Sequence, residues 1–227
     1  MDADQVLQRL RALESPIDRE GMARFGINPD QALGINVAKL RAIAKEIGRD
    51  HDLALELWAS GIHEARILAT IVDDPKLVSK QQMQSWVEDF DSWDLCDQAC
   101  MNLFWRVEGS VELAFEWASR DEEFVKRAAF ALMARFATKR AKASDELLES
   151  FLPVIEKAAD DDRNYVRKGV NWALRGIGKL NVHLNELAIS SAERIRTRDT
   201  RSARWIADDA LRELTSAKVR ARLETPR

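Results

Sequence analysis

The sequence predicts an all-α fold in which pairs of short helices stack into a curved solenoid, an α-α superhelix. Its 227 residues include only 9 Gly and 5 Pro, and the composition is 46% hydrophobic and 32% charged. Ala, Leu, Glu, Arg and Lys dominate and β-branched runs are nearly absent, which is typical of helical proteins because these residues have high helix propensities. The second half of the chain also repeats itself.

The repeat has a period close to 40 residues. Val125-Lys126-Arg127-Ala128-Ala129 is followed 41 residues later by Val166-Arg167-Lys168-Gly169-Val170, and Ala173-Leu174-Arg175 is followed 37 residues later by Ala210-Leu211-Arg212. Two helices per period are typical of HEAT-like repeats, in which each helix pair buries its apolar face only against its neighbours. We therefore expect a single domain of HEAT-like repeats over residues 1–227, with inner helices that line a concave surface.

In the first half of the chain, apolar spacing and capping residues predict six helices. Asn36 is the predicted N-cap of the second helix and Gly48 its stop, and Ser79 opens the fifth with a capping-box pattern. The segment 15–35 is expected to be irregular, because it carries Gly26, Asn28-Pro29 and Gly34. The predicted helices are Asp4–Glu14, Val37–Ile47, about Asp52–Ser60, His63–Val72, about Lys80–Phe90 and a central helix from Ser92 to about Val107.

The second half is predicted to continue with short helices joined by short turns, and no segment favours a strand. Pro153 is expected to kink or divide the helix that Ser144 opens, because proline removes a helical hydrogen bond. The other predicted helices are Val111–Ser119, Glu122–Ala137, Tyr165–Ile177, about Leu184–Arg196, Ser202–Leu214 and Ala217–Leu223.

Several classes of protein are disfavoured by the sequence. No apolar run approaches the roughly 20 residues that a membrane-spanning helix needs. The acidic start Met1-Asp2-Ala3-Asp4 lacks the layout of a signal peptide. Cys96 and Cys100 are the only cysteines, too few for a disulfide framework or a cysteine zinc site. We therefore expect a cytoplasmic protein that does not contact a membrane.

The net charge of −3 conceals an uneven distribution. Residues 1–119 contain 12 Lys/Arg and 21 Asp/Glu, whereas residues 120–227 contain 23 and 17. A polyanionic partner, if the protein has one, is therefore expected along the C-terminal half. The alternative is that these charges form ordinary solvated helix faces.

The central helix carries the first candidate for chemistry. Trp93 and Asp97 lie four residues apart and share one face of a helix, so an indole stands beside a carboxylate. Such a pair attracts cations. Asp97 stands on a helix that is apolar nearly all round, so its carboxylate either pairs with another group or has a functional role. The alternative is a solvated surface residue, which is the commonest situation of an aspartate in the middle of a helix. Asp94 points about 100° away from Trp93 and is not taken as an equivalent partner of Asp97.

Basic side chains on two later helices are candidate phosphate ligands. Arg127 and Arg135 are eight residues apart and fall on nearly one face, as do Lys168 and Arg175, seven apart. Arginines on matched inner helices suit regularly spaced phosphates. Trp172 lies among these cations and suits stacking on a base. The alternatives are interhelical ion pairs for the cations and core packing for Trp172.

These segments resemble the AlkD-like DNA alkylation repair family, which consists of HEAT-like DNA glycosylases. The segments occur in family order and the resemblance spans roughly residues 25–215. The motifs that carry it are Leu33-Gly34-Ile35 with Lys39-Leu40-Arg41, Trp93-Asp94-Leu95-Cys96-Asp97, Phe124-Val125-Lys126-Arg127-Ala128-Ala129 and Trp172-Ala173-Leu174-Arg175.

The resemblance implies roles for particular residues. Asp97 would be the catalytic carboxylate, Trp93 and Trp172 would flank the lesion, and Arg127 would hold a nearby backbone phosphate. Arg135 and Arg175 match positions that line the DNA groove in the family. The implied activity is excision of N3- and N7-alkylated purines from duplex DNA without flipping the lesion, by a monomer that needs no metal or organic cofactor.

The chemistry is consistent with these residue types. An alkylated cationic purine leaves as a neutral base, and positive charge then builds on the sugar, where a fixed carboxylate stabilises it. The alternatives are a catalytically inactive DNA-binding member of the same family, or a protein-binding helical scaffold. The family includes members with an obstructed cleft, and His63-Glu64-Ala65-Arg66 with Phe104 and Trp105 is the tract that could obstruct it here.

Overall fold

The computed structural model describes residues 1–224, and the regular structure of this part of the chain is entirely helical. The chain forms two compact units, here called unit 1 (Met1–Ser110) and unit 2 (from Val111 onwards). None of the described helices is long and apolar enough to cross a membrane. The all-α prediction is confirmed, whereas the single domain and the concave surface stay predictions.

Unit 1 contains seven α-helices and one short 3-10 helix. Two of them, α3 and α5, have the predicted bounds. The helices are α1 (Ala3–Arg11), α2 (Pro16–Ala23), α3 (Val37–Ile47), α4 (His51–Ala59), α5 (His63–Val72), α6 (Lys80–Glu88) and α7 (Trp93–Asn102), followed by the 3-10 helix Phe104–Arg106.

Helix α2 lies inside the segment that the sequence predicts to be irregular, and this part of the prediction is wrong. Ser15 is its N-cap and accepts a hydrogen bond from the backbone N–H of Asp18, and Pro16 occupies the first helical position. Serine followed by proline is a helix-start signal. The helix escapes detection because none of its residues is buried, so it lacks the apolar stripe that marks the other helices.

Two further predictions change in detail. The central helix α7 ends at Asn102 rather than near Val107, because Leu103 leaves the helical region at φ −122° and ψ −67° and a 3-10 turn follows. Pro153 does not divide its segment, since one helix runs from Asp145 to Ala158. A proline therefore sits inside a helix that the buried residues of its apolar face stabilise.

Helix α5 lies at the centre of the hydrophobic core of unit 1. It packs against α3, α4 and α7, and all but two of its ten residues are buried. Helices α4 and α6 are joined by the stacked indoles of Trp58 and Trp86, with ring centroids 3.9 Å apart and an angle of 4° between the rings. The face of α7 that turns away from solvent consists of Leu95, Cys96, Ala99 and Cys100.

Unit 2 is built from two rows of helices, α9, α11 and α13 in one row and α10 and α12 in the other. Neighbours within a row pack together, and so do α10 with α11 and α12 with α13. This is the stacking of helix pairs that the repeat predicts. The described helices are α8 (Ser110–Trp117), α9 (Glu123–Phe136), α10 (Asp145–Ala158), α11 (Asn164–Ile177), α12 (Val182–Arg196), α13 (Arg201–Leu214) and α14 (Ala217–Glu224).

The repeat of unit 2 also appears in its polar contacts, many of which join residues 38 positions apart. Equivalent positions in successive repeats therefore lie against each other. These contacts are Arg127 with the backbone of Tyr165, Asn171 with Asp209, Arg175 with Glu213, Glu156 with Arg194 and Asp160 with Arg198.

Candidate functional site

Helix α7 places Trp93 and Asp97 at its start, one turn apart on the same side. Both side chains are half-buried, whereas the opposite side of the helix is covered. Ser92 is the N-cap residue, as predicted, but its hydroxyl donates to the Asp91 carboxylate and forms no capping bond with the backbone. The indole and the carboxylate therefore share a partly exposed face of one helix.

The indole of Trp93 is held by the segment that follows α2. Its Nε1–H donates to the carbonyl oxygen of Phe25, 2.9 Å away. Next to it, the amide of Asn28 donates to the Asp91 carboxylate across 2.7 Å. Residues 25–28 thus lie against the start of α7 and orient Trp93, a contact that no local sequence pattern predicts.

A second carboxylate on α7 is paired with a buried histidine. His63 Nε2 lies 2.9 Å from Asp94 Oδ2, and His63 is only 4% exposed. Burial alone lowers the pKa of His63, but the hydrogen bond to Asp94 and the charges of Asp94, Glu64 and Asp91 outweigh it, and the net pKa is raised above its ordinary value. Asp94 therefore binds a residue of α5, which agrees with the prediction that it is not an equivalent partner of Asp97.

Glu64, next to His63, fixes the backbone of the segment that precedes α3. Its fully buried carboxylate accepts hydrogen bonds from the backbone N–H groups of Leu33, Gly34 and Ile35 at 2.7, 2.7 and 3.0 Å. Gly34 has φ +77°, and a Cβ there would lie 2.3 Å from the carbonyl oxygen of Ser15. The signature segment before α3 is therefore a tight loop fixed by one buried acid.

The tract expected to obstruct the cleft is mostly inside unit 1. His63, Glu64 and Phe104 are buried, so these three side chains do not protrude from the surface. Trp105 is half-buried and Arg66 packs over the ring of Trp58, 5.3 Å from its centroid. The tract supports the core of unit 1, and an obstruction of a cleft by this tract stays a prediction.

In unit 2, α9 carries two arginines that are nearly covered. Arg127 and Arg135 are each 6% exposed. Arg127 Nη1 donates to the carbonyl oxygen of Tyr165 at 2.8 Å, and Arg135 Nη1 donates to Thr138 Oγ1 at 2.6 Å. Both guanidinium groups are thus fixed at defined positions, with only a small edge accessible.

Helix α11 carries Lys168, Trp172 and Arg175, the remaining predicted residues. Lys168 is exposed and Trp172, one turn later, is half-buried. Arg175 is engaged by α13, since its Nη1 lies 2.5 Å from Glu213 Oε2 and its Nε lies 3.5 Å from Asp209 Oδ2. The interhelical ion pair that the sequence left open for these cations is therefore present at Arg175.

A pocket of about 350 Å³ adjoins Trp172. Three cations line it together with the indole: Lys139, Lys179 and Arg222. Lys179 Nζ is also 2.9 Å from Glu213 Oε1. An aromatic face beside several cations suits a base with its phosphate. None of the three cations was singled out from the sequence, because they lie in turns and on α14, outside the repeat pattern.

The structure brings the predicted residues together in two groups, one in each unit. Trp93 and Asp97 share α7, whereas the other predicted site residues lie on the adjacent helices α9 and α11. Within residues 1–224, no three His, Cys, Asp or Glu side chains are grouped as metal ligands.

Comparison with known proteins gives consistent matches. A family model described as "DNA alkylation repair enzyme" matches residues 6–214. The uncharacterized protein Lin0241 of Listeria innocua is 21% identical over 197 residues, which cover 85% of each chain. A solved structure described as "a new family of proteins related to the HEAT-like repeat DNA glycosylases with affinity for branched DNA structures" superposes with a TM-score of 0.80. It is 22% identical, covers 100% of this chain and 98% of its own, and has the same fold.

Proposed function

Because the chain belongs to the family of DNA alkylation repair enzymes, we propose that it is a DNA glycosylase that excises cationic N3- and N7-alkylated purines from duplex DNA. The observation that carries this proposal is the pairing of Trp93 and Asp97 on the partly exposed face of α7. We expect the enzyme to act in the cytoplasm, as a monomer and without a metal or organic cofactor.

The proposed reaction is hydrolysis of the N-glycosidic bond. The C1′–N bond breaks, its electron pair leaves with the base, and the alkylated purine departs neutral because it was cationic. Water adds to C1′ and loses a proton. The carboxylate of Asp97 stabilises the positive charge that develops on the sugar, and it also orients the attacking water.

Indole groups and cations have supporting roles in this proposal. Trp93, held by the carbonyl of Phe25, and Trp172 flank the lesion and favour its positive charge through cation–π attraction. Arg127, Arg135, Lys168 and Arg175 bind the DNA backbone. The guanidinium of Arg127, which is fixed by a hydrogen bond, and the exposed ammonium of Lys168 support this assignment more directly. The guanidinium of Arg175 supports it less, because it is already paired with two carboxylates.

The test is release of 7-methylguanine and 3-methyladenine from methylated duplex DNA, measured by mass spectrometry. The wild type should release both bases, and Asp97→Asn should slow release by about 10²–10³-fold while DNA affinity is kept. Asp52→Asn, on the exposed first turn of α4, is the matched control and should release bases at the wild-type rate. A wild type that releases no base ends the glycosylase proposal.

The second candidate function is non-catalytic binding of branched DNA. The observation that favours it is the likeness in fold to a protein described as having affinity for branched DNA. The near-complete burial of Arg127 and Arg135 limits the cationic surface that these two residues offer to DNA of any shape. Tighter binding of a three-way junction than of a duplex of equal length, without base release, would favour this function over the first.

A further inference from the structure

We propose that Arg41 and Lys45 on α3 form a binding site for a nucleic-acid phosphate in unit 1. The two residues line a pocket of about 320 Å³ together with Ala44, Gly48, Arg49 and Ile71. The inference rests on the proposed function only in taking DNA as the ligand. Neither Asp97 nor base excision enters the argument.

Arg41 and Lys45 are exposed cations that lack a carboxylate partner among the described residues. They are four residues apart and so face the same way on α3, where like charges destabilise a helix by about 0.2–0.5 kcal/mol. The acid of the same helix, Glu46, is engaged elsewhere, since its carboxylate accepts two hydrogen bonds from Arg9 at 2.6 and 2.9 Å. An acid-rich unit thus leaves two neighbouring cations without a counter-charge, which suits an external anion.

Arg41 is oriented without being neutralised. Its Nη2 lies 3.4 Å from Gln98 Oε1 and 3.3 Å from Asn102 Oδ1, both on α7. The amide of Asn102 is fixed in turn, because its Nδ2 donates to Thr70 Oγ1 on α5 at 3.2 Å. Neutral amides hold the guanidinium in place and keep its charge and its other N–H donors available, which is the arrangement that phosphate recognition needs.

Arg49 has a different role in the same pocket. Its Nη1 donates to the carbonyl oxygens of Ile71, at 2.8 Å, and of Asp73, at the end of α5. Cations are commonly found at helix C-termini, where they satisfy the last carbonyl groups. That explanation accounts for Arg49 but not for Arg41, which lies in the middle of α3. Lys45 lies in the last turn of α3, where the helix dipole also favours a cation, but its side chain is exposed beside Arg41 in the same pocket. The proposed ligands are therefore Arg41 and Lys45, with Arg49 as part of the wall.

The test measures the affinity of a fluorescent duplex over a range of NaCl concentrations. Each phosphate contact contributes about 0.9 to the slope of log K against log salt. Lys45→Gln alone should reduce the slope by about 1, and Arg41→Gln with Lys45→Gln should reduce it by about 2 and weaken binding at least about fivefold. Lys45 is exposed, so Lys45→Gln should leave the fold intact, and the single variant tests the proposal even if the double variant is unstable.

The matched control is Arg11→Gln with Lys76→Gln, which removes two cations of unit 1 outside the pocket. Its slope should change less than that of the double variant. A slope in Lys45→Gln equal to that of the wild type, or an equal loss in the control, overturns the proposal. Inorganic phosphate at matched ionic strength distinguishes the source of the anion: phosphate binding to the wild type but not to Lys45→Gln, with the same duplex affinity and salt slope in both proteins, would assign the site to free phosphate and overturn the assignment to DNA.

Base release is measured in parallel, so the two proposals fail separately. If the wild type releases no base but Lys45→Gln lowers the slope, the glycosylase proposal fails and the phosphate site stands. If release occurs and the slope is unchanged, only the phosphate site fails. A wild type that binds no DNA overturns both.

Discussion

The two units use charged side chains in different ways. In unit 1 each buried or oriented charge has its own arrangement: Glu64 binds three backbone N–H groups, Asp94 binds His63, and Arg41 is held by neutral amides. In unit 2 the same residue types form a repeated series, in which cations and acids 38 residues apart join successive repeats. We therefore expect the loss of a single contact to cost more stability in unit 1 than in unit 2.

This difference changes how the net charge is interpreted. The basic half of the chain was expected to provide the polyanion-binding surface, but Arg175, Arg194 and Arg198 are paired with acids of neighbouring repeats. The acidic half contains Arg41 and Lys45, which have no such partner among the described residues. What matters for anion binding is the number of cations without a counter-charge, and net charge alone does not report it.

The largest effect on stability is expected at Glu64. Glu64→Ala leaves the N–H groups of Leu33, Gly34 and Ile35 without their acceptor, and each such buried group costs about 1–3 kcal/mol. The free energy of unfolding, measured by urea denaturation, should fall by about 3–5 kcal/mol. Glu56→Ala, at an exposed site on α4, should cost less than about 0.5 kcal/mol. Equal losses in the two variants would show that the buried acid of unit 1 is as replaceable as a surface charge.

The next largest effect is expected on the pH dependence of stability, which depends on one His–carboxylate pair in each unit. His63 with Asp94 is buried, whereas His183 with Glu149 has an imidazole that is 58% exposed. The Glu149 hydrogen bond raises the pKa of His183, and Asp94 with nearby acids raises the pKa of buried His63 despite the opposing effect of burial. A raised folded-state pKa adds stability that is complete below the unfolded pKa of about 6.5 and is lost as the pH rises through the folded value.

His63→Gln should therefore destabilise the protein more at about pH 5.5 than at about pH 8.5. The same comparison for His183→Gln should show a smaller change, because solvent screens an exposed pair. Urea denaturation at the two pH values measures both differences. A larger pH dependence for His183→Gln than for His63→Gln would contradict the contrast between the units.

Much of the fold is predictable from the sequence because it follows from local chemistry. Val37–Ile47 is a helix with the predicted Asn36 cap and Gly48 stop, and the period near 40 predicts that α9, α11 and α13 stack. The helix Pro16–Ala23 is missed because it has no buried face. The capping box at Ser79 is only half formed, since the Gln82 amide donates to Asp73 instead of closing the box.

The candidate site is less predictable than the fold. Helical spacing places Trp93 beside Asp97, because that relation lies within one helix. The contacts that orient the site join residues distant in sequence: Phe25 with Trp93, His63 with Asp94, and Arg41 with Asn102. A period or a motif carries no information about such contacts, because they depend on how the loops between helices fold.

A smaller effect is expected at Glu213, which binds both Arg175 and Lys179. Glu213→Gln removes the negative charge that the two cations share, so DNA affinity at low salt should rise about two- to fivefold. Stability should fall by less than about 1 kcal/mol, because the pair is partly exposed. Glu193→Gln, an exposed change of equal charge on α12, is the control. An equal rise in the control would show that net charge, and not the release of paired cations, decides affinity.

The smallest effect is expected at the exposed contacts of unit 2. Arg194 is 59% exposed and its Nη2 lies 2.6 Å from Glu156 Oε1. Arg194→Gln should lower the free energy of unfolding by less than about 0.5 kcal/mol, and the difference should vanish in about 1 M NaCl because salt screens exposed charges. Arg198→Gln, which removes the neighbouring pair with Asp160, should behave alike, and the double variant should lose the sum of the two. A double variant that loses several kcal/mol more than the sum would mean that the repeated pairs act as one network, and the expectation that contacts matter less in unit 2 than in unit 1 would be wrong.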